Sequence, residues 1–174
     1  KPNAITCNAL FNTPHSIYDI KSIGDQVVLS GVTETHEAQK GKVEFQTRLT
    51  AQTKGGKLTS KDGVMTIENA NEVVFVVAMA TNFVNYKDVS GDEIAKCEAI
   101  ITEALKYDFE TLKRDHIAFF QKYMSRVSLY LGVTESVSKP TNERIRDFAT
   151  SFDPQLASLY FQFGRYLLIC TSQP

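Results

Sequence analysis

Residues 153–174, DPQLASLYFQFGRYLLICTSQP, limit what this chain of 174 residues can fold into more than any other segment. Asp153 can accept hydrogen bonds from the free amides at the start of a helix, and Pro154 suits the first helical position. Apolar residues then recur at helical spacing and also fill much of the opposite face: Leu156, Leu159, Tyr160, Phe161, Phe163, Tyr166, Leu167, Leu168, Ile169 and Cys170. We predict a helix that needs cover on several sides, from linker helices or from a second copy, as part of a larger core.

The composition, with 43% hydrophobic and 22% charged residues, is typical of a soluble globular protein of one ordinary domain or two small ones. The net charge of −1 has no basic surplus, which argues against nucleic-acid or membrane binding by bulk charge. No apolar run approaches the roughly twenty residues of a membrane span. Lys1 and Pro2, in place of a starting Met, fit a piece excised from a longer protein and leave the compartment open.

Residues 1–86 predict β structure, because short runs of strand-forming residues alternate with turn residues. The predicted strands are 5–10, 17–20, 26–33, 43–53, 57–60, 64–68 and 72–80. Residues 61–63 predict a hairpin turn, because Gly63 tolerates a positive φ. Strand 43–53 alternates apolar and polar residues, which predicts that it is antiparallel and half-buried. Strand 72–80 contains the run VVFVV, which predicts a central strand covered on both faces. Together these strands predict an antiparallel β-sandwich portion.

After residue 86 the pattern becomes helical. Ser90 followed by Glu93 predicts a capping box and a helix to about Lys106. A second helix, over residues 108–124, has an apolar stripe of Phe109, Leu112, His116, Phe119, Phe120 and Tyr123. We predict that these two helices are antiparallel linkers joined around Tyr107.

Three shorter predictions complete the chain. Residues 127–131 predict an extended segment and 135–140 a polar loop, and Thr141 is expected to cap a short helix that reaches Thr150. The fold class is therefore α+β, with a β-sandwich portion followed by an all-α segment.

The sequence indicates no catalytic, cofactor-binding or metal-binding residue. Perturbed catalytic carboxylates need partly buried sites, whereas the acidic residues here fall at strand ends, in turns or on polar helical faces. Those considered are Glu68, Glu72, Asp88, Asp92, Glu93, Glu98, Glu103, Asp108 and Glu110. His36 and Glu37 are adjacent, so on an extended chain they point to opposite faces and do not suit a metal.

Basic residues and cysteines are assigned structural roles. His116 lies on the apolar stripe, so we predict a buried, hydrogen-bonded histidine. Arg126 and Arg165 are expected to be interdomain anchors, with substrate contact as a second interpretation. The cysteines at positions 7, 97 and 170 share no metal-site or redox spacing, and Cys97 and Cys170 are predicted to be free core residues.

Several segments carry a resemblance to a known family. The run TNER at 141–144 and DPQLASLYFQFGRYLLI at 153–169 resemble the entry to the helical-barrel domain of glycoside hydrolase family 95, the α-L-fucosidases. SRVSLYLG is similar to the family's bridge into that barrel. GKVEFQTRL, GGKL and GVMTIENANEVVFVVAMATNF resemble the last strands of its N-terminal β-sandwich domain.

The resemblance implies an internal fragment of a larger enzyme. It predicts the end of a β-sandwich domain at 1–86, linker helices at 87–138 and the first helices of an (α/α)6 barrel at 139–174. The parent would remove terminal α-L-fucose, or a close L-galactose analogue, from oligosaccharides by inverting hydrolysis without a cofactor. A secreted or periplasmic location is also implied. The catalytic residues would lie outside this chain, which is expected to be inactive alone.

Two other interpretations stay open. The chain could be a stand-alone β-sandwich module that binds a glycan or a protein, for which Tyr18, Tyr86 and Tyr130 are the aromatic residues without an assigned core position. Alternatively, another family with the same plan, such as phosphorolytic disaccharide enzymes, would keep the architecture and change the reaction.

Overall fold

The computed structural model describes residues 2–172. The chain divides at Phe109 and Glu110 into two compact units, which are named by the bounds Lys1–Phe109 and Glu110–Pro174. The outer limits of the predicted domains, residue 1 and residues 173–174, lie outside the described part. The strands are β1 (Ile5–Leu10), β2 (Tyr18–Ile23), β3 (Gln26–Val32), β4 (Glu44–Lys54), β5 (Lys57–Lys61), β6 (Val64–Ala70) and β7 (Glu72–Thr81). The helices are α1 (Glu93–Ala104), α2 (Phe109–Met124), a 3-10 turn (Glu135–Ser138), α3 (Thr141–Asp147) and α4 (Pro154–Thr171). The α+β fold class is confirmed.

The strands of the first unit form two antiparallel sheets, with orders β1-β6-β5 and β2-β3-β4-β7. Side chains from both sheets meet in one core, which consists of Val27, Leu49, Met65, Ile67 and Ala70. Burial of such side chains stabilises a fold by about 1.5–3 kcal/mol each. The predicted sandwich portion is therefore present, and its core lies between the two sheets.

The hairpin between β5 and β6 turns where the sequence predicts. Asp62 has a φ of 52° and Gly63 a φ of 76°. Two successive positive φ values are the mark of a type I′ turn, whose twist matches that of the strands it joins. The turn prediction is confirmed, and the Cα register pairs Lys61 with Val64.

Strand β4 is buried on both faces, so the prediction of a half-buried strand was wrong. Arg48 is 5% exposed, because α1 packs over the outer face of the four-stranded sheet. The Arg48 guanidinium pairs with Glu98 of α1 at 2.8 Å and donates to the Gln46 side chain at 2.6 Å. The Cys97 thiol donates to the Gln46 carbonyl at 3.2 Å. Polar residues on this face therefore hold a helix instead of facing water.

Strand β7 lies at the edge of its sheet and pairs with β4, so the prediction of a central strand was wrong. Helix α1 covers one face of the strand, where Val76, Ala78 and Ala80 pack. On the other face Phe75, Val77 and Met79 are 44%, 51% and 71% exposed. The apolar run is typical of a central strand that is covered on both faces. The position of the strand in the sheet and the elements that pack on each face depend on the tertiary structure.

Helix α1 begins two residues later than the predicted capping box. The Asp92 carboxylate caps the helix by accepting from the Ala95 amide at 2.8 Å. The Ser90 amide instead donates to Asp88 at 2.8 Å in the preceding turn, and Ser90 is not the cap. Asp88 and Asp92 thus serve local turn and cap geometry, which is a structural role for both carboxylates.

The cysteines differ in exposure, and one prediction about them was wrong. Cys97 of α1 is fully buried against the four-stranded sheet, as predicted, whereas Cys170 is exposed on α4. Burial raises the pKa of the Cys97 thiol above its usual value. Cys170 does lie on a helix, as predicted, but its side chain is exposed and does not form part of a core among the described residues.

We expect Cys170 to react with a thiol reagent at neutral pH at least about a hundredfold faster than Cys97, which needs unfolding to become accessible. Intact-mass and peptide mapping after timed treatment with a disulfide reagent measure the two rates. In the Cys170→Ser variant the fast reaction at position 170 should vanish, while Cys97 stays protected from the reagent. Equal rates in the native protein would contradict the burial of Cys97.

In the second unit, α2 exposes most of its length, and the prediction for His116 was wrong. His116 is exposed, and its ring lies 5.6 Å from that of Phe120. Phe120 in turn contacts the ring of Tyr166 on α4, with centroids 5.4 Å apart. Phe120 therefore links the stripe to α4, while His116 lies at the margin of the stripe.

The N-cap of helix α3 is Pro140, so the prediction that Thr141 caps this helix was wrong. The Pro140 carbonyl accepts from the amides of Glu143 and Arg144 at 3.0 and 3.1 Å, which places Thr141 at the first helical position. A hydroxyl there lies inside the helix and cannot act as its N-cap. The helix ends at Asp147 instead of Thr150, and the predicted polar loop before it contains the 3-10 turn.

Candidate functional site

Helices α3 and α4 are joined by a buried ion pair. Arg144 of α3 donates to both carboxylate oxygens of Asp153, at 2.8 and 2.9 Å. The two side chains are 7% and 0% exposed. Two parallel charge-assisted hydrogen bonds fix both distance and orientation. The start of α4 is therefore held in one position against α3.

Asp153 also caps α4, as predicted, by accepting from the Leu156 amide at 3.1 Å. The pairing of Asp153 with Arg144 was not predicted, although the two residues lie in the runs DPQL and TNER. The hydrogen bonds from Arg144 lower the pKa of Asp153 below its usual value. Because the carboxyl group stays ionised at neutral pH, Asp153 does not suit the role of a proton donor.

An apolar groove of about 770 Å³ lies between α3 and α4. Its lining residues are Thr141, Ile145, Phe148, Leu156, Ala157, Leu159, Tyr160 and Phe163. Ile145 is 64% exposed and Tyr160 is 77% exposed. A sugar needs convergent hydrogen-bonding groups, and this lining offers few. The groove instead has the character of a surface that receives apolar side chains.

Arg165 anchors α4 to the end of α2. Its guanidinium donates to the carbonyls of Tyr123, Met124 and Val127 at 3.0, 3.2 and 2.6 Å. These acceptors are at or just after the carboxyl end of α2, where helical carbonyls lack amide partners and a cation is favoured. The anchor predicted for Arg165 thus acts between two helices of one unit. Arg126 lies over the Tyr123 ring, 5.6 Å from its centroid.

A smaller cleft of about 340 Å³ lies in the first unit, beside the start of α1. Its lining residues are Ile17, Tyr18, Asp19, Ser30, Gly31, Val32, Glu44, Phe45 and Glu93. The fold thus brings together Asp19, Glu44 and Glu93, which come from β2, β4 and α1. The sequence could not relate them, because only the pairing of β2, β3 and β4 and the packing of α1 place them at one cleft.

Other acidic residues considered in the sequence have structural partners. Glu72 pairs with Lys54 at 2.8 Å, and Glu103 pairs with Lys106 at 2.6 Å. Over residues 2–172, no set of three or more His, Cys, Asp or Glu side chains is placed to hold a metal ion. Over the same residues, none of the helices combines the length and apolar character needed to cross a membrane.

Comparisons with known proteins divide the chain into two matches. Residues 1–86 match the model of the glycosyl hydrolase family 65 N-terminal domain, and residues 108–174 match the glycosyl hydrolase family 95 catalytic domain. Alpha-L-fucosidase 2 of Arabidopsis thaliana is 36% identical over 130 residues, 69% of this chain and 15% of that protein. Probable alpha-fucosidase A of Aspergillus niger is 28% identical over 126 residues, 67% of this chain and 16% of that protein.

The aligned part is thus a small share of each relative's length. Both relatives carry α-fucosidase names, and the resemblance noted in the runs TNER and DPQLASLYFQFGRYLLI lies within the catalytic-domain match. The described helices α3 and α4, with their buried ion pair, also lie within it. The chain is therefore similar to a fragment of α-fucosidases, and its residues 108–174 match the glycosyl hydrolase family 95 catalytic domain.

Proposed function

We propose that this chain is part of a glycoside hydrolase that removes terminal α-L-fucose from oligosaccharides. The observation that carries the proposal is the 36% identity to Alpha-L-fucosidase 2 over 130 residues. The name of the second relative, Probable alpha-fucosidase A, supports the same substrate class. The oligosaccharide would be the partner of the whole enzyme, and no nucleic acid or membrane is proposed.

The role of this chain in that enzyme would be that of a scaffold. Hydrolysis with inversion needs an acid and a base whose carboxyl groups are about 6.5–9.5 Å apart. Asp153 is held ionised by Arg144, and Glu72 and Glu103 form exposed ion pairs, so these groups do not suit either role. In keeping with the family resemblance, we propose that the catalytic acid and base lie on residues outside this chain.

The division of the chain is proposed as predicted: a β-sandwich part at 1–86, linker helices at 87–138 and the first barrel helices at 139–174. The family 65 N-terminal match over residues 1–86 supports the first limit. The apolar groove between α3 and α4 supports a core that continues into further helices, because exposed apolar grooves of this kind are normally covered. Self-association through the exposed face of α4 is the alternative cover.

We expect the isolated chain to release no detectable fucose from an aryl α-L-fucoside or a fucosylated oligosaccharide, while a full-length protein containing it does. The assay compares both proteins with and without inorganic phosphate, and NMR of the first-formed sugar reports inversion or retention. Turnover by the isolated chain would contradict the scaffold role. Strict dependence on phosphate would instead favour a phosphorolytic enzyme of the same architecture.

A stand-alone glycan-binding module is the second candidate, because two tyrosine rings are unusually exposed. Tyr86 is 85% exposed and Tyr130 is 80% exposed. Exposed aromatic rings are the surfaces on which sugars commonly stack. Calorimetric titration of the isolated chain with fucosylated oligosaccharides separates the two candidates, since binding that Tyr86→Ala or Tyr130→Ala abolishes would favour the module.

A further inference from the structure

We draw no further inference here: the strongest candidate, the cleft beside the start of α1 where Asp19, Glu44 and Glu93 meet, is a cluster of carboxylates, and in the described part of the chain none of its lining side chains is a buried polar group without a hydrogen-bond partner that would indicate a ligand.

Discussion

Replacing Asp153 by alanine is expected to lower the unfolding temperature of the Glu110–Pro174 unit by about 10 °C or more, the largest loss we expect from a polar substitution. The change leaves the buried Arg144 guanidinium without its bidentate partner and removes the cap of α4. A buried charge that loses its partner is costly, because it can recover neither water nor a substitute. Thermal unfolding followed by circular dichroism measures the effect.

Asp153→Asn is the matched variant, since asparagine caps helices as well as aspartate does but has no charge. If the ion pair contributes most of the stabilisation, Asp153→Asn should lower the unfolding temperature nearly as much as Asp153→Ala. If the helix cap contributes most, the decrease should be small. Arg144→Lys keeps a charge but not the bidentate geometry, so an intermediate loss is expected. An Asp153→Ala protein that unfolds at the temperature of the unaltered chain would contradict a buried ion pair.

The ion pair between Arg144 and Asp153 also predicts the direction in which the stability of the fold changes with pH. The folded-state pKa of Asp153 is lowered by its hydrogen bonds from Arg144, below the unfolded value of about 3.9. The stabilisation is therefore fully present above about pH 4 and is lost as the pH falls through the folded pKa. Comparing acid unfolding of the unaltered chain with Asp153→Asn isolates this contribution, which the variant should lack.

The second large effect is expected at Gly56, where alanine should lower the free energy of unfolding by about 3 kcal/mol. Gly56 has a φ of +72°, and an added Cβ would lie 2.3 Å from the Glu68 carbonyl oxygen and 2.6 Å from the Ala70 amide nitrogen. These neighbours are backbone atoms of β6, so the hairpin would have to move. Urea unfolding measures the loss.

Gly24→Ala is the control for the backbone conformation alone. Gly24 has a φ of +55°, and nothing lies within 4 Å of an added Cβ. Its substitution should cost about 1 kcal/mol, which is the penalty of a left-handed conformation. Equal losses at the two glycines would mean that the contact with β6 contributes nothing.

Much of the local structure could be predicted from the sequence, because short-range chemistry determines it. The positive φ at Asp62 and Gly63 and the start of α4 at Pro154 follow from residue types that act on their own backbone. That this chain contains no catalytic residue stays a prediction. The family resemblance likewise rested on contiguous runs, which a single sequence displays in full.

The remaining features depend on neighbours that are distant along the chain. Alternation in β4 could not show that α1 covers its polar face, and the apolar run of β7 could not show that it ends at a sheet edge. His116 and Cys170 have apolar neighbours in sequence, yet both are exposed.

By itself, then, the sequence determined where helices and strands form and turn, since these depend on residues a few positions apart. Only the tertiary structure decided which faces are covered, that Arg144 reaches Asp153, and that Asp19, Glu44 and Glu93 share a cleft. The physical reason is that burial and charge pairing depend on distances in space, which chain folding sets and local propensity does not.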